Sequence, residues 1–150
     1  MNQKTGVFVG SFNPFTVGHD NIVRRVLPLF DRLVIGVVGD NVQKPGLVPA
    51  QQRMQAISQL YAGETRIEVK PYYGLAVDFA RQEGARFIVK GVRSVKDFEY
   101  EREQADINRQ ISQGQVETIL LFADAQLASV SSSVVRELQH FGVDVKPFLP

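Results

Sequence analysis

Short runs of apolar residues alternate with longer stretches in which apolar residues recur at helical spacing. The apolar runs predict five buried strands, at Gly6–Gly10, Leu33–Val38, Ile67 to Val69, Phe87–Val89 and Thr118–Phe122. The remaining stretches predict five helices, from about Gly18 to Leu27, from Pro49 to Tyr61, at Leu75–Arg81, from about Lys96 to Gln113, and at Ser132–His140. Such alternation is typical of an α/β fold, here a five-stranded parallel sheet with helices on both faces.

Local residues support two of the helix boundaries. Pro49 suits the first position of the second helix, where a missing N–H costs nothing. Met54, Ile57, Leu60 and Tyr61 then form an apolar stripe of helical period. Gly84 suits the residue that ends the third helix, since glycine readily adopts the left-handed conformation found there.

Composition narrows the class of protein. The 150 residues suit one domain spanning 1–150, and we find no repeat or linker that would divide it. A net charge of +1 argues against a general nucleic-acid binder, and the absence of cysteine excludes thiolate nucleophiles and disulfides. No apolar run approaches the roughly 20 residues that span a bilayer. The polar segment Met1–Gly6 lacks the layout of a signal peptide, so we expect a cytoplasmic protein with no membrane partner.

Ligands of open parallel sheets bind beyond the carboxyl ends of the strands, which directs attention to the loops there. The loop after the first strand runs from Gly10 to His19 and contains the hydroxyl of Ser11. Gly18 leaves room for a flat base, and His19 lies in a first helical turn, where free N–H groups favour a phosphate. The glycine patterns of P-loop and dinucleotide-binding proteins are absent.

Three further loops supply cations and hydroxyl groups at the same edge. Lys44 follows the second strand, Lys90 and Arg93 flank Gly91 after the fourth, and Ser129–Arg136 follows the fifth. Each has an ordinary structural explanation: a solvated turn, chance surface charge, or a serine that caps a helix. Asp97 and its acidic neighbours suit a helix first turn, while Phe98 and Tyr100 suit a core or a subunit contact. Taken together, the loops predict a polyphosphate site.

These residues resemble a known superfamily, the nucleotidyltransferases with a [T/H]xGH signature. Thr16-Val17-Gly18-His19 matches that signature, and Ser129–Arg136 is similar to its serine-rich second motif. Gly91-Val92-Arg93, followed by Asp97 to Glu101, is similar to the phosphopantetheine adenylyltransferases in particular. The resemblance extends from Gly10 to Pro150 and implies a single Rossmann-like nucleotidyltransferase domain.

The resemblance implies an activity and a set of functional residues. AMP would pass from ATP to 4′-phosphopantetheine, giving dephospho-coenzyme A and pyrophosphate. The catalytic residues would be His19, Lys44 and Arg93. The ATP site would comprise Ser11, Phe12, His19, Gly91, Val92, Arg93, Glu101, Leu127, Ala128, Ser129, Val130, Ser131, Ser132 and Ser133. The phosphopantetheine site would comprise Ser11, Lys44, Ala76, Lys90 and Asn108.

Magnesium should arrive with ATP, because no carboxylate cluster in these loops forms an obvious protein-only metal site. The resemblance also implies a homo-oligomer, with a hexamer the usual form.

Several positions depart from the family pattern. Asn13 replaces the usual aspartate, Lys90 stands where arginine is usual, and Ser11 stands where threonine is usual. The loop before Lys44 is one residue longer than usual when Lys44 is aligned by its distance to Arg53, and the chain ends where many relatives continue.

The start Gly10–Pro14 leaves a nicotinate-mononucleotide adenylyltransferase open as an alternative, against which Gly91–Glu101 argues. A catalytically silent nucleotide-binding module is a second alternative, against which the combination of His19, Lys44 and Arg93 argues.

Overall fold

The computed structural model describes residues 3–150, so Met1 and Asn2 of the segment Met1–Gly6 lie outside the described residues. Five strands and five helices alternate along the described part of the chain. The strands are β1 (Thr5–Gly10), β2 (Arg32–Val38), β3 (Ile67–Tyr72), β4 (Phe87–Val92) and β5 (Glu117–Phe122). The helices are α1 (Val17–Val26), α2 (Ala50–Leu60), α3 (Ala76–Gln82), α4 (Val95–Ile111) and α5 (Ser132–His140). Short 3-10 helices follow α1 at Leu27–Leu29 and α5 at Lys146–Phe148.

The strands form one parallel sheet in the order β3-β2-β1-β4-β5. This arrangement confirms the predicted α/β fold with a five-stranded parallel sheet. The chain builds the sheet outward from β1 in one direction through β2 and β3, and then crosses to the other side for β4 and β5. The loops after β1 and β4 therefore diverge at the point where the strand order reverses, which leaves a crevice for a ligand.

The core lies on both faces of the sheet because side chains alternate along each strand. On one face Phe8, Ile35 and Val89 pack with residues of α1 and α2. On the other face Val7, Val34 and Ile88 pack with residues of α3. Helices thus cover both faces, as the continuous apolar character of the strands predicts.

The structure corrects several predicted boundaries. β4 extends three residues beyond the predicted Val89, and Lys90 pairs in register with Leu120 of β5. Strands are held by backbone hydrogen bonds, which do not depend on the side chain. Lys90 therefore ends the apolar run in the sequence but not the strand. Likewise β3 continues to Tyr72 through Pro71, whose missing N–H is tolerated on this edge strand.

The α5 helix has its predicted bounds, and the boundaries of the other four helices differ by one or two residues from those predicted. Pro49 precedes α2 as its N-cap with an extended ψ of 141°, so the helix begins one residue later than expected. In the predicted stripe Ile57 and Tyr61 are buried, whereas Leu60 is 37% exposed. Gly84 follows α3 with a φ of +70°, the left-handed conformation expected at a helix end.

Within residues 3–150, none of the helices combines the length and the apolar character needed to cross a bilayer.

Candidate active site

The loop after β1 is held in shape by a cluster of aromatic rings. Phe12 has a φ of +49°, a left-handed conformation that costs a non-glycine residue on the order of 1 kcal/mol or more. Its ring is buried and packs against Phe8, Phe15 and His19 at centroid distances of 5.2, 5.2 and 5.0 Å. Burial of the ring offsets the strained backbone, and the loop presents Ser11 on one side of Phe12 and Asn13 on the other.

His19 is oriented by the start of α1. The backbone N–H of Thr16, the N-cap, donates to His19 Nδ1 at 2.9 Å, and the Thr16 hydroxyl accepts from the His19 backbone N–H. The pair forms a capping box in which histidine replaces the usual glutamate. Because Nδ1 accepts a backbone hydrogen bond, the neutral ring carries its proton on Nε2. The side chain therefore presents a fixed N–H donor.

His19 is neutral at physiological pH. Burial, and secondly the positive charge of Arg93, lower the pKa of His19 to about 4. Phe15 stacks on the imidazole at 5.2 Å and contributes to its removal from water. A neutral donor suits the stabilisation of charge that develops on a phosphoryl group, since it can donate a hydrogen bond without having to lose a proton.

A cavity of about 390 Å³ opens beside His19 at the switch point of the sheet. Its walls come from the end of β1 and its loop, the start of α1, the end of β4, the start of α4 and the segment before α5. Predicted ATP-site residues that line it are Ser11, Phe12, His19, Gly91, Arg93, Glu101, Leu127, Val130, Ser131, Ser132 and Ser133. The structure thus brings together side chains that are up to 122 positions apart in the chain.

Two cations at this cavity are paired with carboxylates from α4. Lys90 Nζ lies 3.3 Å from Glu101 Oε2, and the Glu101 side chain is only 11% exposed. Arg93 Nε lies 3.6 Å from Asp97 Oδ2, and the same oxygen accepts the Arg93 backbone N–H at 3.1 Å. These pairings pre-position both cations, and the 41% exposure of Arg93 leaves its guanidinium accessible to a ligand.

The serine-rich segment also has distinct structural roles. Ser131 is the N-cap of α5 and accepts from the Val134 N–H at 3.1 Å. The Ser132 hydroxyl donates to the Pro14 carbonyl at 2.7 Å, which ties the start of α5 to the β1 loop. The amino ends of α1 and α5 therefore meet at one cavity, and first-turn N–H groups that the caps do not use are available to an anion.

The sequence is similar to those of known proteins over nearly its full length. The model of the cytidylyltransferase-like family matches residues 7–138. The phosphopantetheine adenylyltransferase of Phocaeicola vulgatus is 48% identical over 148 residues, which cover 99% of this chain and 96% of that protein. The enzyme of the same name from Porphyromonas gingivalis is 49% identical over 150 residues, which cover 100% of this chain and 96% of that protein. The chain belongs to the phosphopantetheine adenylyltransferase family.

A solved structure confirms the fold at greater evolutionary distance. A bifunctional NMN adenylyltransferase/ADP ribose pyrophosphatase from Francisella tularensis superposes with a TM-score of 0.72 at 16% identity. The match covers 99% of this chain and 45% of that one. At this identity the similarity extends to the Rossmann-like fold alone.

The predicted acceptor residues of the family are less tightly gathered than the ATP residues. Ser11 and Lys90 line the cavity, and Lys44 Nζ reaches Ser11 Oγ at 3.4 Å from outside it. Ala76 begins α3 at the carboxyl edge of the sheet, next to the loop after β3. Asn108 lies two helical turns beyond Glu101 on α4, about 10 Å further along the axis. Neither Ala76 nor Asn108 lines the cavity, and the same holds for the predicted ATP residues Val92, Ala128 and Ser129.

Sequence analysis missed a buried arginine behind the site. Arg53 on α2 is 4% exposed, and its guanidinium donates to the carbonyls of Ser11, Val38 and Val48 at 2.6–2.8 Å. It thereby joins the β1 loop to both ends of the segment that carries Lys44. One signal was present: Arg53 lies four residues before the buried Ile57, on the core-facing side of α2, where a charged side chain is rare.

Proposed function

We propose that this protein transfers AMP from ATP to 4′-phosphopantetheine, giving dephospho-coenzyme A and pyrophosphate. The observation that carries the proposal is the convergence of a neutral histidine donor, two paired cations and two helix amino ends on one cavity at the switch point. Near-full-length identity of 45–49% to proteins named phosphopantetheine adenylyltransferase supports the choice of acceptor.

The reaction requires positioning more than acid–base chemistry. An oxygen of the acceptor phosphate attacks the α-phosphorus of ATP, and the bond from that phosphorus to the oxygen bridging to the β-phosphate breaks. The acceptor phosphate is already largely ionised near neutral pH, since a phosphate monoester has its second pKa near ~6. No proton need be removed and no covalent enzyme intermediate forms, so catalysis rests on alignment and charge neutralisation.

On the ATP side, each candidate has a role that its surroundings suit. His19 donates from Nε2 to the α-phosphate, and Arg93 meets the charge that develops there. The amino end of α5, with Ser132 and Ser133, receives the departing pyrophosphate. Gly91 and the apolar side chains of Leu127 and Val130 would flank the adenosine.

On the acceptor side, Lys44 and Ser11 hold the acceptor phosphate next to the α-phosphate. Their 3.4 Å contact places a cation and a hydroxyl at one point, where they can bind the oxygens of a phosphate. Lys90 adds a second positive charge at the cavity. Ala76 and Asn108 would contact the pantetheine arm further from the reacting atoms, which agrees with their distance from the cavity.

Magnesium enters as part of the substrate, bound to the phosphates of ATP. Within residues 3–150 no group of three or more acidic, histidine or cysteine side chains could hold a metal ion. The acids at the cavity, Asp97 and Glu101, already pair with Arg93 and Lys90. The ion would supply charge neutralisation on the phosphate chain, while the protein supplies the alignment described above.

We further propose that the protein assembles as a homohexamer and acts in the cytoplasm, where ATP is available. Large apolar side chains are exposed on α4 and at the end of the edge strand β5, namely Phe98, Ile107, Ile111 and Phe122. Exposed apolar surface of this kind marks interaction sites. Light scattering should give about six chain masses, and Ile107→Lys should lower that mass. A monomeric wild-type protein would contradict the assembly.

Product analysis tests the activity. The protein is incubated with MgATP and 4′-phosphopantetheine, and the mixture is analysed by mass spectrometry for dephospho-coenzyme A and by a coupled assay for pyrophosphate. We expect both products in equal amounts, and at least about a hundredfold less of each over the same time when His19 is replaced by alanine. Hydrolysis of ATP to AMP without dephospho-coenzyme A would overturn the proposal.

A further inference from the structure

The side chain of Asn13 makes two hydrogen bonds, both to a neighbouring loop. Its side chain is buried, with the residue 6% exposed, between the β1 loop and the segment from Gly39 to Pro49, which we name the Lys44 loop. The amide Nδ2 donates to the Gly46 carbonyl at 2.9 Å, and Oδ1 accepts from the Val48 N–H at 3.2 Å. The oxygen and the nitrogen of one amide therefore both hold the Lys44 loop, on the C-terminal side of Lys44.

Arg53 of α2 holds the same loop through further hydrogen bonds. Its guanidinium binds the Ser11 carbonyl in the β1 loop and the Val48 carbonyl at the end of the Lys44 loop. Arg53 also donates to the Val38 carbonyl, so it holds the Lys44 loop at both of its ends. Asn13 holds the loop at Gly46 and Val48. Lys44 lies two residues before Gly46, and its Nζ lies 3.4 Å from Ser11 Oγ.

We infer that Asn13 is a positioning residue whose amide latches the Lys44 loop and thereby places the Lys44 ammonium at the acceptor phosphate. This inference rests on the proposed function, since it assigns the Lys44 contact to the acceptor. The latch matters because the loop has few other bonds across to the β1 loop, and a mobile lysine would lose part of its interaction with a phosphate to disorder.

The chemistry of the latch requires an amide. A carboxylate of the same shape could still accept from Val48, but it has no hydrogen to donate to the Gly46 carbonyl and would repel it. The asparagine amide therefore suits both of its partners in the Lys44 loop, one an acceptor and one a donor.

The first measurement is amide hydrogen exchange by mass spectrometry on the ligand-free protein. Asn13→Asp and Asn13→Ala should each raise exchange of the peptides covering residues 41–49 by about tenfold, with peptides of β1 and β4 unchanged. The matched control is Asn21→Asp, which makes the same change of charge on α1, where Asn21 accepts from Arg25 outside this contact. Exchange of the loop equal to wild type in both Asn13 variants would overturn the latch, whichever acceptor the protein uses.

The second measurement is a kinetic cycle with Lys44→Ala. Asn13→Asp should lower kcat/KM for 4′-phosphopantetheine at least tenfold and leave the KM for ATP within about threefold. In the Lys44→Ala background the same substitution should have less than a twofold effect, because the residue that it positions is gone. Equal effects in both backgrounds would assign Asn13 a general structural role and overturn the inference. A wild-type enzyme inactive on this acceptor would defeat the proposed function, while hydrogen exchange would still decide the latch.

Discussion

At the scale of single residues, His19 is the proposed hydrogen-bond donor to the α-phosphate of ATP. Its position at a helix start was predictable from the Thr16–His19 motif, but its protonation was not. The hydrogen bond from the Thr16 N–H fixes the tautomer, and burial beside Phe12 and Phe15, with the charge of Arg93 second, lowers the pKa of His19. Both depend on three-dimensional neighbours, which a motif does not specify.

Replacement of His19 by alanine tests its role directly. Because the Nε2 donor acts on charge that develops in the transition state, His19→Ala should lower kcat by about 100- to 1000-fold and leave the KM for ATP within a few-fold. Steady-state kinetics with MgATP and 4′-phosphopantetheine provide the measurement. A His19→Ala enzyme with kcat near the wild-type value would refute this role.

Asn13 illustrates what residue-level reasoning from the sequence left open. The start Gly10–Pro14 admitted a mononucleotide acceptor because of this asparagine. In the structure the Asn13 amide is engaged by Gly46 and Val48, so its identity reflects the Lys44 loop and supplies no argument about the acceptor. A contact 35 positions away in the chain is not visible in a local motif.

At the scale of elements, the capping box of α1 couples protonation to stability. Protonation of His19 Nδ1 would remove the acceptor of the Thr16 N–H and bring a second positive charge close to Arg93. In the unfolded chain the pKa of His19 is near 6.5, and in the folded protein it is about 4. Between these values the unfolded state binds more protons, so stability rises with pH there.

The stabilisation due to neutral His19 is therefore complete above about pH 6.5 and is lost as the pH falls towards 4. We expect the wild-type protein to lose on the order of 2–3 kcal/mol of unfolding free energy from this group alone over that range. Denaturant titrations at pH 7 and pH 4.5 on wild type and His19→Ala isolate the effect, with His140→Ala as a control at an exposed histidine. The wild-type advantage over His19→Ala should shrink at low pH, and parallel pH profiles would contradict the expectation.

Element types were predictable, whereas the ends of elements were less so. Short apolar runs located all five strands, because β1, β2 and β4 contain buried residues and the edge strands β3 and β5 are largely half-buried. It stopped short in β4 because Lys90 and Gly91 are not apolar, although their backbone continues the ladder with β5. Pro49 was predicted as the first residue of α2, but its ψ of 141° is extended, so the helix begins one residue later.

At the scale of the whole molecule, the order of the strands assembles the site. The sequence predicted that the loops after β1, β2, β4 and β5 share one edge, and the cavity of about 390 Å³ lies where the loops after β1, β4 and β5 meet. It did not predict that Lys44, after β2, reaches Ser11 from outside the cavity, or that Asn108 does not line the cavity. Those placements depend on loop conformation and helix position, which the residue pattern leaves undetermined.

The residues near the Lys44–Ser11 contact and the start of α3 suit 4′-phosphopantetheine as the acceptor. Leu75 and Ala76 at the carboxyl edge offer apolar surface that suits a flexible pantetheine arm, and Lys44 with Ser11 suits a terminal phosphate. A nicotinate ring would instead require an aromatic side chain that stacks on it or a polar group that makes two hydrogen bonds to it. Discrimination should therefore be substantial, although ATP binding is common to both reactions.

The most direct test compares pyrophosphate release with 4′-phosphopantetheine and with nicotinate mononucleotide at the same concentration of MgATP. We predict that kcat/KM is at least about a hundredfold higher for 4′-phosphopantetheine, on the order of 3 kcal/mol in transition-state binding. Comparable values for the two acceptors, or a preference for the mononucleotide, would contradict the proposed acceptor and leave only adenylyl transfer standing.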